Sequence, residues 1–176
     1  MKTGVFRVLN LPGGTLAYRL LKVCYEYRKP MKVLATMERE PLNETKPNLI
    51  HMPFGLLGFE QLKRYVLLSN PEEAPFLWFE TPDDPTISFL VISPFIVMPS
   101  YQPELSVEDV ALLELKSPKE AMIFNIVTLR PNHSATVNLK GPIVVNRTTL
   151  VGKQIIPVNA ANYPVQHPLV AAESAT

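Results

Sequence analysis

The sequence predicts an all-β protein, a small antiparallel β-barrel-like domain with one short helix near residues 106–116. Three observations carry this. Eighteen prolines fall between short apolar runs, which suits many short strands joined by irregular connections. From residue 41 to 118 a proline recurs at least every 18 residues, so no long helix fits there. The apolar runs themselves are rich in aromatic and β-branched residues and stop at Pro, Asn or Asp.

In chain order, strands are expected at residues 49–52, 65–68, 76–79, 87–92, 122–129, 135–139, 143–146 and 152–157. The first ends at Pro53 and the second at Asn70-Pro71, both turn signals. Between the third and fourth lies Thr81-Pro82-Asp83-Asp84-Pro85, a turn whose Asp side chains are suited to bond nearby backbone amides. Trp78 sits mid-strand, where core packing is the default reading. The pair Ile155-Ile156 is expected to add to the core. The helix has Ser106 as N-cap, acids in its first turn and Val107, Val110, Ala111 and residues 113–115 at helical spacing, with Pro118 as its stop. A single helical turn is expected at residues 58–64.

Three regions follow from this pattern. Residues 1–30 form an N-terminal extension, loosely ordered or arising from a misassigned start, because Met31-Lys32-Val33 offers a second start. Residues 31–170 form the β domain, and residues 171–176 a flexible tail.

Charge separates these regions further. The formal net charge is +1, yet residues 1–50 hold nine Lys/Arg against four Asp/Glu, and residues 51–176 hold eight against twelve. A mildly acidic body disfavours direct nucleic-acid binding, since phosphate neutralisation needs clustered Lys and Arg. One cysteine, Cys24, allows no intrachain disulfide and points to a reducing, cytoplasmic setting. His51, His133 and His167 show none of the short spacings of metal sites. Gly13-Gly14 lacks the Gly-Lys-Ser/Thr of a phosphate loop. No catalytic, cofactor-binding or metal-binding residue emerges, and the expectation is a monomeric, non-enzymatic protein that does not enter membranes.

A binding function leaves surface candidates instead. Phe95 and Tyr101, in a proline-bounded stretch before the helix, are candidate exposed aromatic anchors. Asp83, Asp84 and Glu104 are candidate acidic contacts, with Glu72, Glu73, Glu108 and Asp109 as further sources of negative charge; for each, a plain solvated surface role is the ordinary alternative. Pro53, Gly55, Gly58, Phe59, Asn125, Asn138, Pro142, Asn146 and His167 are read as structural. The glycines serve backbone geometry, the asparagines tie loops together, and His167 acts as a hydrogen-bonded strut.

The stretch Met52-Pro53-Phe54-Gly55-Leu56-Leu57-Gly58-Phe59-Glu60 resembles the hallmark of the FliW family of flagellar assembly factors. Further matches follow in order: Pro94-Phe95, the strand at residues 124–128, the segment at residues 136–146, Gly152-Lys153-Gln154 and the end at residues 163–169. The resemblance spans roughly residues 48–169. It implies a β-barrel-like domain without catalytic activity that binds CsrA, a dimeric RNA-binding regulator, and relieves its repression of flagellin mRNA. It also implies binding of flagellin, which competes with CsrA for the same protein. The alternative is a chaperone that protects flagellin before export. One departure stands out: residues 33–48, where the family has a tight glycine-containing hairpin, contain no glycine and carry Glu38-Arg39-Glu40-Pro41.

Overall fold

The computed structural model describes residues 49–130 and 134–169. The expected extension, the altered first hairpin, the C-terminal tail, Cys24 and His133 lie outside the described residues. Nine strands are described: β1 (Leu49–His51), β2 (Arg64–Ser69), β3 (Leu77–Glu80), β4 (Ser88–Ile92), β5 (Ala121–Leu129), β6 (Ala135–Val137), β7 (Ile143–Asn146), β8 (Gly152–Gln154) and β9 (His167–Pro168). The ladders are antiparallel and run β1-β2-β3-β4-β5-β6-β9, while β7 pairs with β5 and β8 with β7.

The architecture is therefore antiparallel and barrel-like rather than a closed barrel. A single parallel bridge, His51 to Val151, links β1 to the start of β8, and the His51 amide donates to the Leu150 carbonyl there at 2.8 Å. Nine-residue β5 is the hub. Ala121 to Phe124 pair with β7, Asn125 and Ile126 with β4, and Val127 to Leu129 with β6.

Burial alternates along β1 and β6 and is continuous along β7. Tyr65 of β2 stacks on Phe79 of β3, with ring centroids 4.5 Å apart and an interplanar angle of 6°. Ile50, Val91, Ile143 and Val145 close the same core. Burial of each such side chain contributes roughly 2 kcal/mol. A second core gathers Phe76, Ile92, Tyr101, Val137 and Leu139. Strand β7 is buried at every position, because Ile143 and Val145 enter one core while Val144 faces a smaller one with Leu113 and Ile155. Trp78 is half-buried against the second core, and its indole N–H donates to Glu73 at 2.8 Å.

Two α-helices lie among the described residues, α1 (Pro94–Val97) and α2 (Val107–Leu112). Ser106 caps α2 by accepting the Asp109 amide at 3.1 Å. The helix stops well before Pro118, because Glu114 adopts φ 52 and the Leu115 amide reaches back to the Val110 carbonyl at 3.1 Å. That is the usual helix-ending device, here without glycine. Its apolar spacing also misleads. Val107 is 82% exposed, and Val110 and Leu112 are 37% exposed, whereas Asp109 is buried. Leu113, just past the helix, is buried in a core, and half-buried Leu115 packs against the same cluster.

Residues 58–64 hold no helical turn. Two successive backbone turns, Phe59 to Leu56 and Leu62 to Phe59, carry the chain to β2. Of the pair Ile155-Ile156, the first is buried and the second is 57% exposed.

Candidate interaction surface

The segment after β1 is shaped by Gly55. Its φ is +68, and a Cβ there would meet the Phe59 carbonyl oxygen at 2.6 Å and Glu60 Cα at 2.8 Å. Only glycine accepts both the left-handed backbone and that approach. Gly58 also has positive φ, +85, but faces open space. Pro53 contributes its carbonyl, which accepts the Lys63 ammonium at 2.8 Å. Leu56 is buried by this arrangement and Phe59 packs edge-on against Phe89, while Phe54 and Leu57 are left 54% and 62% exposed.

Those two exposed side chains lie beside β8. The Leu57 amide donates to Gln154 Oε1 at 2.9 Å. The Lys153 ammonium stands 5.4 Å from the centre of the Phe54 ring and 2.5 Å from Asp109 Oδ1. Ser106 holds the other carboxylate oxygen at 2.8 Å. Burial pushes the Asp109 carboxyl upward, but the Lys153 and Ser106 hydrogen bonds outweigh it and hold the group below the usual carboxylate range. One ammonium thus ties the loop at Phe54 to α2. Just beyond β8, exposed Ile156 and Val158 continue the apolar character, and the Val158 amide donates to the Glu104 carbonyl at 2.8 Å. Phe54, Leu57, Val107, Val110, Ile156 and Val158 are thus exposed apolar side chains of the segments around β8 and α2, and Glu104 and Glu108 are exposed acids of the same segments.

The candidates read from the sequence fall in several places. Glu104 is exposed beside Val158. Asp83 takes the Arg64 guanidinium in a two-pronged contact, and that hydrogen bond holds its carboxyl below the ordinary range. Asp84 caps its own turn, accepting the Thr86 amide at 3.0 Å and hydroxyl at 2.6 Å, which likewise lower it. Asp109 is a buried ion-pair partner, so it leaves the set of surface acids.

The expected exposed pair of aromatics divides. Phe95 is 46% exposed, but Tyr101 is buried, with its hydroxyl donating to the Leu139 carbonyl at 2.8 Å and its ring 4.6 Å from that of Tyr163. The phenol supplies a hydrogen bond to a carbonyl that would otherwise be buried without one, so the ring is drawn inward. Phe95 merely rests edge-on against it, 6.3 Å away.

The asparagines hold loops. Asn146 donates to the Leu113 and Glu114 carbonyls at the end of α2 and accepts the Thr148 and Thr149 amides. Asn138 accepts the Lys140 and Gly141 amides, and Asn125 donates to the Asn138 carbonyl. The Pro142 carbonyl accepts Ile155, and His167 pairs with Val137 in β9. Asn159, not singled out in the sequence, bonds both the Glu104 amide and the Gln102 carbonyl and so fixes the segment at residues 102–104. Lys153 and Phe54 were also missed as a pair. A lysine ahead of the apolar pair Ile155-Ile156 in the expected strand at residues 152–157 was the available signal, since its charge needs a partner there. Among the described residues, no group of three or more His, Cys, Asp or Glu side chains forms a metal site. Among them, too, no helix is long and apolar enough to cross a membrane.

These features define a small antiparallel β protein with short helices held at its rim. A family model described as FliW protein matches residues 33–169. The flagellar assembly factor FliW of Syntrophus aciditrophicus is 35% identical over 127 residues, covering 72% of this chain and 80% of the relative. That of Geotalea uraniireducens is 37% identical over 139 residues, 78% and 83% of the two chains. That of Clostridioides difficile is 38% identical over 120 residues, 68% and 92%. A crystal structure of the flagellar assembly factor FliW superposes with a TM-score of 0.66 at 28% identity, covering 78% of this chain and 92% of that one. The chain belongs to the FliW family.

Proposed function

We propose that this chain is a flagellar assembly factor working by partner exchange in the cytoplasm: it binds CsrA, relieves repression of flagellin mRNA, and is released when flagellin competes for it. The observation that carries this is the family match over residues 33–169, together with relatives named as flagellar assembly factors. The reading assigns the protein a binding role and no turnover.

The electrostatics suit such a role. CsrA presents a basic face to RNA, and an acidic protein beside that face repels phosphate without covering the RNA site. Residues 51–176 carry eight basic against twelve acidic side chains. Glu104 and Glu108 remain exposed for this purpose, and Asp84 adds to the field from its turn, whereas Asp83 is neutralised by Arg64. The coupling is reciprocal, so RNA weakens the association with CsrA by the same factor.

The test is an RNA gel shift with CsrA, titrated with this protein at several salt concentrations. The expected result is loss of the CsrA–RNA complex as protein is added, an effect that weakens as salt rises, and recovery when flagellin is supplied. A complex that survives the titration at every salt removes the reading. A pull-down that captures flagellin but not CsrA replaces it with the chaperone role.

A further inference from the structure

Strand β2 is apolar on both of its sides. Tyr65 and Leu67 point inward, to the core that also holds Ile50 and Phe79. Val66 and Leu68 alternate with them and stand on the outer side, where neither joins a core cluster. Strand register carries that outer side across three strands. Leu49 of β1 lies directly opposite Val66, and Trp78 of β3 lies directly opposite Leu68. Directly opposed residues share a face, so Leu49, Val66, Leu68 and Trp78 form one continuous apolar stripe. Leu49 and Leu68 are 42% and 43% exposed, while Val66 and Trp78 are half-buried. An antiparallel sheet with one face in water normally turns polar residues outward, and a strand apolar on both sides is normally covered on both.

The border of the stripe is acidic. Glu80 stands opposite Val66 on the side away from Leu49. Glu73 accepts the Trp78 indole N–H at 2.8 Å. Arg64, on the same side of β2 as Val66, is already taken by Asp83 and offers no free positive charge. A second copy of the chain would bring its own Glu73 and Glu80 to this border, like charge against like. A partner with apolar side chains next to basic ones is complementary instead.

We propose that the outer face of β1, β2 and β3 is the docking surface for the basic, RNA-binding partner of the exchange described above. The inference rests on that exchange and assigns it a surface. The stripe supplies apolar contact that salt does not screen, whereas Glu73 and Glu80 add attraction to the partner's cationic side and repulsion of its RNA, both weakened by salt. Trp78 is the anchor at one end, since a large ring held by its own indole hydrogen bond loses little freedom on binding.

The test measures the affinity of the full chain for purified CsrA at low and high salt. In the Leu49→Thr, Leu68→Thr double variant the Kd is expected to rise roughly tenfold at both salts, the scale of removing central apolar contacts. Threonine suits a strand, and both positions are partly in water, so the fold is retained. Glu80→Gln is expected to raise the Kd about threefold at low salt and to leave it unchanged at high salt. Hydroxyl-radical footprinting of the unsubstituted complex is expected to protect Leu49, Leu68 and Trp78, and does not depend on any variant folding. If the unsubstituted chain does not bind CsrA, the exchange and this surface fall together. If it binds, but the double variant binds as tightly or protection falls on other side chains, the surface alone is overturned. Loss of flagellin capture with CsrA binding intact reassigns the face to flagellin and also overturns it. So does a dimer of this chain that the double variant abolishes, which gives the face to a second copy.

Discussion

Lys153 and Asp109 form an ion pair of 2.5 Å across the gap between β8 and α2, with the lysine side chain 30% exposed and the aspartate 9%. The pair turns the helix so that its acid faces inward and its valines face solvent. An amphipathic helix normally does the reverse. Val107 and Val110 are exposed because this carboxylate, rather than either valine, occupies the inner position.

Asp109→Asn is expected to destabilise the protein by about 2 kcal/mol at neutral pH, because Lys153 loses its countercharge in a largely desolvated site. The pH dependence follows from the depressed carboxyl. Its contribution is complete above the ordinary Asp value of about 3.9 and is lost as pH falls through the lower folded value. Urea midpoints of both proteins across acidic pH are expected to converge. A constant gap would show that the charge is not what matters.

The two left-handed glycines separate strain from collision. Gly55→Ala is expected to cost ~3 kcal/mol or more, since backbone atoms lie at 2.6 and 2.8 Å from its Cβ. Gly58→Ala is expected to cost about 1 kcal/mol, for positive φ alone. Thermal melts of the two variants check the order, and equal losses would contradict the close approach at Gly55.

Tyr101 is pushed up to about 12 by burial, against a lowering contribution from the Asn125 side chain. Its neutral phenol therefore favours the folded state below the ordinary value of about 10, and that preference is lost as pH rises through the folded value. Ultraviolet titration of tyrosinate should show Tyr101 ionising late, accompanied by unfolding between these limits. Tyr101→Phe removes the late step and the bond to Leu139, at a cost of about 1 kcal/mol.

Asn146→Ala deletes four hydrogen bonds and leaves the carbonyls of Leu113 and Glu114 without their donor. A loss of about 3 kcal/mol is expected from chemical denaturation. Asn146→Asp keeps the acceptor for Thr148 and Thr149 but sets a buried carboxylate oxygen against those two carbonyls, so a loss at least as large is expected. Equal stability of all three proteins would mean that the turn and the helix end hold without this link.

The sequence was most legible where burial is one-sided or complete. Residues 143–146 read as a strand because every side chain there is apolar except the last, and the structure places each position inside. Ser106 with its following acids located the helix start, because capping is local chemistry. Asp109 was misplaced among the surface acids for the opposite reason: which side of the helix faces inward depends on Lys153, 44 residues away. Tyr101 was misplaced for the same cause, since its partner Leu139 is 38 residues distant. Helix α1 went unread because residues 95–97 look like a continuation of the preceding apolar strand. Pro94 in its first turn was the available signal. Exposed Phe54 and Leu57 were visible only as part of a motif, since spacing alone does not say which apolar residues of a tight loop stay outside.

Strand β5 has a consequence for how this molecule can vary in length. Because β4, β6 and β7 all take their register from Ala121 to Leu129, an inserted or deleted residue there inverts side chains in three ladders together. The stretch joining β3 to β4 has no such duty and is the natural place for an indel. A graft or affinity tag inserted within residues 81–87 is therefore better tolerated than any change of length in the central strand.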